Sequence, residues 1–361
     1  MQKKAKKIIV AMSGGVDSSV VAAILKEQGH DLLGIFMHFW AEPGPVNDAI
    51  RNKCCSIESF NDARRVALKL GFPLYTINLD EPFKAQIVDS FLADYGNGLT
   101  PNPCVNCNRH IKFDYLLQKA AELGYDYIAT GHYAKIIVQA DQYQVWRPVD
   151  TNKDQTYFLH TLTQNKLKQI IFPLADLTKP EVRDLAKKFD LPVAKKPESQ
   201  EICFITGKSH NDFLRRHLPL KSGNILTVDG QVVGEHQGLP LYTLGQRKGV
   251  EIGGVGPFYV VKLDYATNTV IVSNDGDDPL LYQSSLMAKN VSWIGGEKLT
   301  TILDCQAVIR YRHKPINCTI TPQANDKAMV MFEQPQRAIT PGQSVVFYNG
   351  EQLLGGGEIV A

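Results

Sequence analysis

The chain has 361 residues, 44% of them apolar and 21% charged, with a formal net charge of +2. These values exclude a disordered or fibrous chain, leave room for two or three domains, and give no whole-chain attraction to nucleic acid, so any basic surface has to be local. Without an apolar run near ~20 residues, or a signal peptide ahead of the first strand, a cytoplasmic protein is expected. The seven cysteines then point to reactivity or metal binding rather than to a disulfide framework.

The first element is a strand, Ile8-Ile9-Val10, and Val20 to Leu25 reads as a helix stopped by Gly29. Between them lies Ala11-Met12-Ser13-Gly14-Gly15-Val16-Asp17-Ser18. Glycines in such a turn let the backbone approach a ligand, and the helix start offers N–H groups and a positive dipole end to an anion. Ser13, Ser18 and Ser19 add hydroxyls, and Asp17 can hold a metal that bridges phosphate oxygens. No lysine follows the glycines, so this is not a Walker A loop. The pattern Ser-Gly-Gly-Val-Asp-Ser resembles the pyrophosphate loop of ATP pyrophosphatases, which cut ATP between the α- and β-phosphates and adenylate an oxygen of the substrate.

Strand-like runs Leu32–Phe39, Leu74–Leu79 and Tyr127–Thr130 alternate with helical patterns Ile57–Leu70, Pro82–Ala93 and Phe113–Leu123. Such alternation predicts an α/β unit, a mostly parallel sheet with helices on both faces. Its ligand edge would carry the glycine loop, Met37-His38 and Gly131-His132. Met37 suits an adenine face or a core position equally. Gly98 to Arg109, with two prolines and three asparagines, predicts a loop. It holds Cys104 and Cys107 beside Arg109, His110 and Lys112, whose charge would favour a thiolate, and no second pair completes a zinc site.

Tyr143–Pro148 reads as a strand, and Leu162–Ile171 and Lys179–Phe189 as helices, the last capped by Thr178. Cys203 follows in Ser199-Gln200-Glu201-Ile202-Cys203-Phe204, either reactive or a small buried hydrophobe. Beyond Gly207 the texture changes. A helix over His210–His217 leads to short β-like runs at Asn224–Val228, Gln231–Val233, Pro257–Leu263 and Asn268–Ser273, then a breaker at Asn274–Pro279. The runs Asp304–Tyr311, Asn317–Thr321, Ala328–Phe332 and Ser344–Tyr348 predict a C-terminal β-barrel or sandwich. The expected division is 1–206, 207–278 and 279–361. Cys54 and Cys55 read as incidental, and Cys305 and Cys318 as core.

Taken together, the glycine loop, Asn-Pro-Cys-Val-Asn-Cys-Asn and Ser-Gln-Glu-Ile-Cys-Phe resemble the tRNA-specific 2-thiouridylases. Gly131–Ala134, Lys153–Leu159, Leu244–Gly249, Arg310–Arg312 and Thr340–Gln343 extend the resemblance over essentially the whole chain. It implies an adenine nucleotide α-hydrolase-like fold and ATP-dependent, Mg²⁺-assisted replacement of the carbon-2 oxygen of a wobble uridine by sulfur. It also implies Cys203 as persulfide carrier and Cys107 as nucleophile, the two forming a transient disulfide that needs Cα atoms within about 7 Å. By the same carry-over, Ala11 to Ser18, Met37 and Gly131 contact ATP. Asn102, Pro103 and Cys104 frame the base, and His132, Lys153, Asp154, Gln155, Arg310, Tyr311 and Gln343 touch tRNA.

Cys104 is aspartate in many members of that family. With Cys107 and Cys203 it could instead hold an iron–sulfur cluster with one open corner. The implied partners are tRNA and a sulfur-carrier protein or cysteine desulfurase, with no membrane, and a monomer is expected. The competing readings are another pyrophosphate-loop modifier, a 2-thiocytidine or lysidine synthetase, and a non-catalytic ATP- or RNA-binding module.

Overall fold

The structure is a computed structural model that describes residues 5–42, 56–198, 202–205, 209–250 and 257–360. Cys54, Cys55 and the stretch 199–201 lie outside the described residues.

The chain opens with β1 (Lys7–Met12), α1 (Val16–Glu27), β2 (Asp31–His38), α2 (Ile57–Leu70) and β3 (Leu74–Asn78). A helical rod follows, α3 (Asp80–Phe83) and α4 (Asp89–Gly96) joined by a π-helical turn, and then α5 (Pro103–Asn106) and α6 (Asp114–Leu123) joined by a second π-helical segment, Cys107–Phe113. Next come β4 (Tyr127–Ala129), β5 (Lys135–Gln139), β6 (Gln142–Trp146), α7 (Gln164–Leu167), β7 (Ile170–Ile171), α8 (Lys179–Lys188) and α9 (His210–His217).

The first sheet is parallel, in the order β3-β2-β1-β4-β7. The run Ile8-Ile9-Val10 is wholly buried because each face of β1 has its own cover. Ile8 and Val10 pack with Val20, Val66 and Val182 from α1, α2 and α8, whereas Ile9 packs with Leu116 and Ala120 of α6.

Two local expectations fail here. The predicted loop around Cys104 is helical: Asn102 accepts a bond from the Cys104 N–H and Pro103 takes the first turn, so the proline and asparagine start a helix instead of preventing one. The predicted helix Leu162–Ile171 is only α7. Ile170 and Ile171 leave it to pair with Ile128 and Ala129 at the edge of the sheet, where β-branched side chains fit.

The central module holds β8 (Gly223–Thr227), β9 (Val232–His236), β10 (Tyr259–Asp264) and β11 (Thr269–Ser273), ordered β10-β11-β8-β9. The C-terminal strands are β12 (Tyr282–Trp293), β13 (Leu303–Val308), β14 (Ile316–Gln323), β15 (Lys327–Arg337), β16 (Ser344–Asn349) and β17 (Gln352–Ile359). They close into a barrel through the pairing of β12 with β17. Neither strand was marked by its pattern. The glycines of β17 speak against a strand, yet a Cβ at Gly355 would stand 2.2 Å from the Ser292 carbonyl.

The β5–β6 hairpin crosses the expected division. It turns at Ala140 and Asp141, both at positive φ, and β6 pairs with β17, so residues 135–146 extend the barrel sheet. Cys305 and Cys318 face each other across β13 and β14 with sulfurs 3.8 Å apart, Cys318 buried in the barrel core and Cys305 packed against it. Among the described residues, no helix is long and apolar enough to cross a membrane.

Candidate active site

The turn after β1 is built for close approach. Gly14 sits at φ +69°, and a Cβ there would meet the Ser59 carbonyl at 2.1 Å, so α2 starts directly against the loop. Gly15 caps α1 without a side-chain hydrogen bond, which leaves the first-turn N–H groups facing outward. The serines divide. Ser13 is exposed, but the Ser18 hydroxyl is shared between the Ser13 N–H and the Gly15 carbonyl. Ser19, expected to offer a hydroxyl, is fully buried and donates back to the Gly15 carbonyl at 2.8 Å.

Gly131 comes in from β4, where a Cβ would stand 3.0 Å from the Asp17 Cβ and 3.1 Å from the Ser18 nitrogen. The ends of β1 and β4 therefore meet over the first turn of α1. Met37, at the end of β2, packs against the core on the α6 face and against the cluster that holds Phe39, Phe83 and Cys107.

Asp17 is the centre of a charge network. Its Oδ1 accepts from Tyr133 at 3.0 Å and from the Lys179 ammonium at 2.5 Å. Lys179 also pairs with Glu198 at 3.0 Å, and Glu198 pairs with Lys153 at 2.6 Å. Burial and the neighbouring Asp17 push the Tyr133 hydroxyl far above the ordinary tyrosine range, so it stays a donor. Burial alone would raise Glu198, but the hydrogen bonds from Lys153 and Lys179 outweigh it and hold the carboxylate below its usual range. A lysine ammonium is thus brought to the first turn of α1 by α8, from far along the chain.

Lys179, Tyr133 and Glu198 were not foreseen. One signal was available: Lys179 is the first residue of α8, where a cation opposes the helix dipole, so the position needs an external reason. The remaining carboxylate chemistry of Asp17 suits a hard cation held with phosphate oxygens.

The three thiols lie on two elements. Cys104 and Cys107 share one side of the helix that begins at Pro103, with Cys104 exposed and Cys107 buried. Cys107 belongs to the same apolar cluster that Cys203 packs against. The anchor of the Cys203 segment is Phe204, whose ring meets Phe83 at 5.9 Å, Phe91 at 5.3 Å and Phe213 at 5.6 Å. Among the described residues, no group of three or more His, Cys, Asp or Glu is placed to hold a metal ion, so the three thiols do not fit an iron–sulfur cluster in this arrangement.

The expected RNA contacts are scattered in character. Arg310 donates to Thr340 Oγ1 at 2.9 Å, and Tyr311 packs on Phe158 at 4.5 Å with Arg312 over its ring. These form one turn on the barrel. Lys153 is spent on Glu198, and Gln155 Oε1 accepts the Tyr133 N–H, so both support the Asp17 network. Asp154 accepts from the Thr156 N–H and hydroxyl and pairs with Arg147. Gln343 donates to the Thr100 carbonyl at 2.7 Å. His132 is buried between Phe113 and Phe172, bonded to Thr130 at 2.7 Å. Burial lowers its pKa to about 3, so it is a neutral core side chain and not a surface presented to RNA.

Fold and site together define a nucleotide-dependent enzyme in which an uncapped helix start, a charge network at Asp17 and two cysteines meeting one apolar cluster belong to the same N-terminal part of the chain. The chain matches the models of the tRNA methyl transferase HUP domain over residues 6–207, the tRNA methyl transferase PRC-barrel domain over 211–274 and the aminomethyltransferase β-barrel domain over 283–359. It is 47% identical over 358 residues to the tRNA-specific 2-thiouridylase MnmA of Carboxydothermus hydrogenoformans, covering 98% of this chain and 97% of that one. The corresponding protein of Geobacter metallireducens is 46% identical, covering 100% and 98%. A 4-thiouridine synthetase–RNA complex with bound ATP aligns over 58% of this chain and 49% of that one, at 18% identity and a TM-score of 0.37. The chain belongs to the tRNA-specific 2-thiouridylase family.

Proposed function

We propose that this protein is an ATP-dependent sulfurtransferase that converts a uridine of tRNA to 2-thiouridine. The observation that carries the reading is that Cys107 lies in the apolar cluster that Cys203 packs against, in a chain whose α1 start has no side-chain cap and suits a triphosphate. Full-length relatives named as tRNA-specific 2-thiouridylases support it.

In this reading residues 1–206 bind ATP, 207–278 form a central module, and the barrel of 279–361 meets RNA. Ala11 to Ser18, Met37 and Gly131 surround ATP. The N–H groups of α1 and the Lys179 ammonium take its phosphate charge. Asp17 would hold Mg²⁺, which when bound supplies further charge neutralisation on the phosphates. The carbon-2 oxygen of the wobble uridine attacks the α-phosphorus, and pyrophosphate leaves. Adenylation turns a poor leaving group into AMP.

Sulfur arrives on Cys203 as a persulfide, from a carrier protein or a cysteine desulfurase. Cys107 attacks the inner sulfur, forming a Cys107–Cys203 disulfide and releasing the terminal sulfur as HS⁻. That sulfur adds to carbon 2, AMP departs with the former oxygen, and 2-thiouridine forms. The terminal sulfur is reduced and the two cysteines are oxidised, so an external dithiol restores them.

The test supplies unmodified tRNA, ATP, Mg²⁺ and a persulfide donor, and digests the product for mass spectrometry. 2-Thiouridine is expected. Cys107→Ser and Cys203→Ser should abolish it while pyrophosphate release continues. 2-Thiocytidine or lysidine would install a rival reading, and absence of pyrophosphate release would leave a binding module.

A further inference from the structure

The helix that carries Cys104 and Cys107 begins at Pro103 and continues through a π-helical segment into α6, so both thiols sit within two turns of its start. α5 spans only Pro103–Asn106 and runs into the π-helical segment Cys107–Phe113. A π-helical stretch is a rare local departure from α geometry, so the position of the first turn ahead of it depends on what holds its start. What holds its start comes from the barrel. Thr100, just ahead of the capping Asn102, gives its N–H to the Pro341 carbonyl at 2.8 Å. It takes the Gln343 side-chain amide on its own carbonyl at 2.7 Å. Gly342, at φ +87°, lies so close that a Cβ would stand 2.9 Å from the Thr100 nitrogen. Both backbone groups of Thr100 are therefore committed to one barrel loop.

The other end of that loop is held by Arg310, through Thr340 Oγ1 at 2.9 Å. A second strut runs in parallel. Asn108, buried next to Cys107, donates to the Phe158 carbonyl at 3.3 Å, and Phe158 carries the Tyr311 ring. The turn that presents Arg310 and Tyr311 is thus tied to the Cys107 helix at two points, before and after the thiol.

We propose that Gln343 is a positioning residue. By holding the Thr100 carbonyl it sets where α5 begins and so where the Cys107 thiol stands, and RNA that engages Arg310 and Tyr311 acts on that thiol through the same loop. The proposal rests on Cys107 being the nucleophile, as set out above. It differs from a direct RNA contact by Gln343, which would leave the RNA-free protein unaffected.

The variant is Gln343→Met, similar in length but without a donor. Cys107 alkylation by iodoacetamide is followed in RNA-free protein by tandem mass spectrometry, with fragment ions separating it from Cys104. The expected result is alkylation at least fivefold faster, kcat for thiolation at least tenfold lower, and tRNA affinity and pyrophosphate release within about twofold of wild type. Unchanged alkylation overturns the proposal, whether RNA binding weakens or not. Should Gln343→Met lose its cooperative melt, Gln343→Glu, which also has no hydrogen to donate, carries the same readout. Cys107→Ser in parallel separates the two readings: if that variant still makes 2-thiouridine, the catalytic assignment fails and not the anchoring of the helix.

Discussion

Replacing Lys179 by methionine keeps much of the aliphatic stem and deletes one ammonium. The lysine side chain is 9% exposed and stands 2.5 Å from Asp17 and 3.0 Å from Glu198. A fully buried ion left without its partner costs about 3–5 kcal/mol, and a charged hydrogen bond contributes about 1.5–3 kcal/mol. Asp17 and Glu198 are 32% and 27% exposed, so water relieves part of the loss. The expected cost in folding stability is therefore about 2 kcal/mol.

The effect on ATP follows from the same charge. The ammonium lies against the first turn of α1, where the phosphates would gather, and loss of one charged contact to them raises KM for ATP by roughly 10–150-fold. Pyrophosphate release against ATP concentration and urea unfolding measure the two effects. Asp17→Asn and the double variant complete a cycle, in which the stability losses should fall short of additivity by about 1–2 kcal/mol. A Lys179→Met enzyme with the wild-type KM and an unchanged urea midpoint would refute the reasoning.

Three other outcomes are expected. Gly131→Ala would set a Cβ 3.0 Å from the Asp17 Cβ and shift the start of α1, raising KM for ATP several-fold with little change in the urea midpoint. Phe204→Leu would loosen the aromatic anchor beside Cys203, costing about 1–2 kcal/mol and lowering thiolation while pyrophosphate release persists; equal loss of both rates would count against a role confined to sulfur delivery. Burial lowers His132 and His160 to about 3, below the unfolded value. Their contribution is present above about pH 6.5 and is lost as the pH falls toward 3, because the unfolded chain then binds more protons. Urea unfolding between pH 7.5 and 5.5 should show about 3 kcal/mol lost from the pair, and His132→Leu should remove about half of that slope.

Local pattern sufficed where neighbouring residues decide the outcome. Ile57–Leu70 and His210–His217 are helices with the bounds their periodicity suggested, since capping and apolar spacing lie within each segment. The glycine loop was legible for the same reason: strand, turn and helix are contiguous. Chain-wide motif resemblance supplied the family.

Long-range balance decided the rest. Proline and asparagine around Cys104 read as a loop, whereas in the fold Asn102 and Pro103 start a helix whose Val105, Cys107 and Ile111 are packed into the core. His132 carries no mark of burial until Phe113 and Phe172 close around it. The pairing of Asp17 with Lys179 joins residues 162 positions apart. No sequence window reports such a contact, because its free energy exists only once the chain has excluded water from both partners.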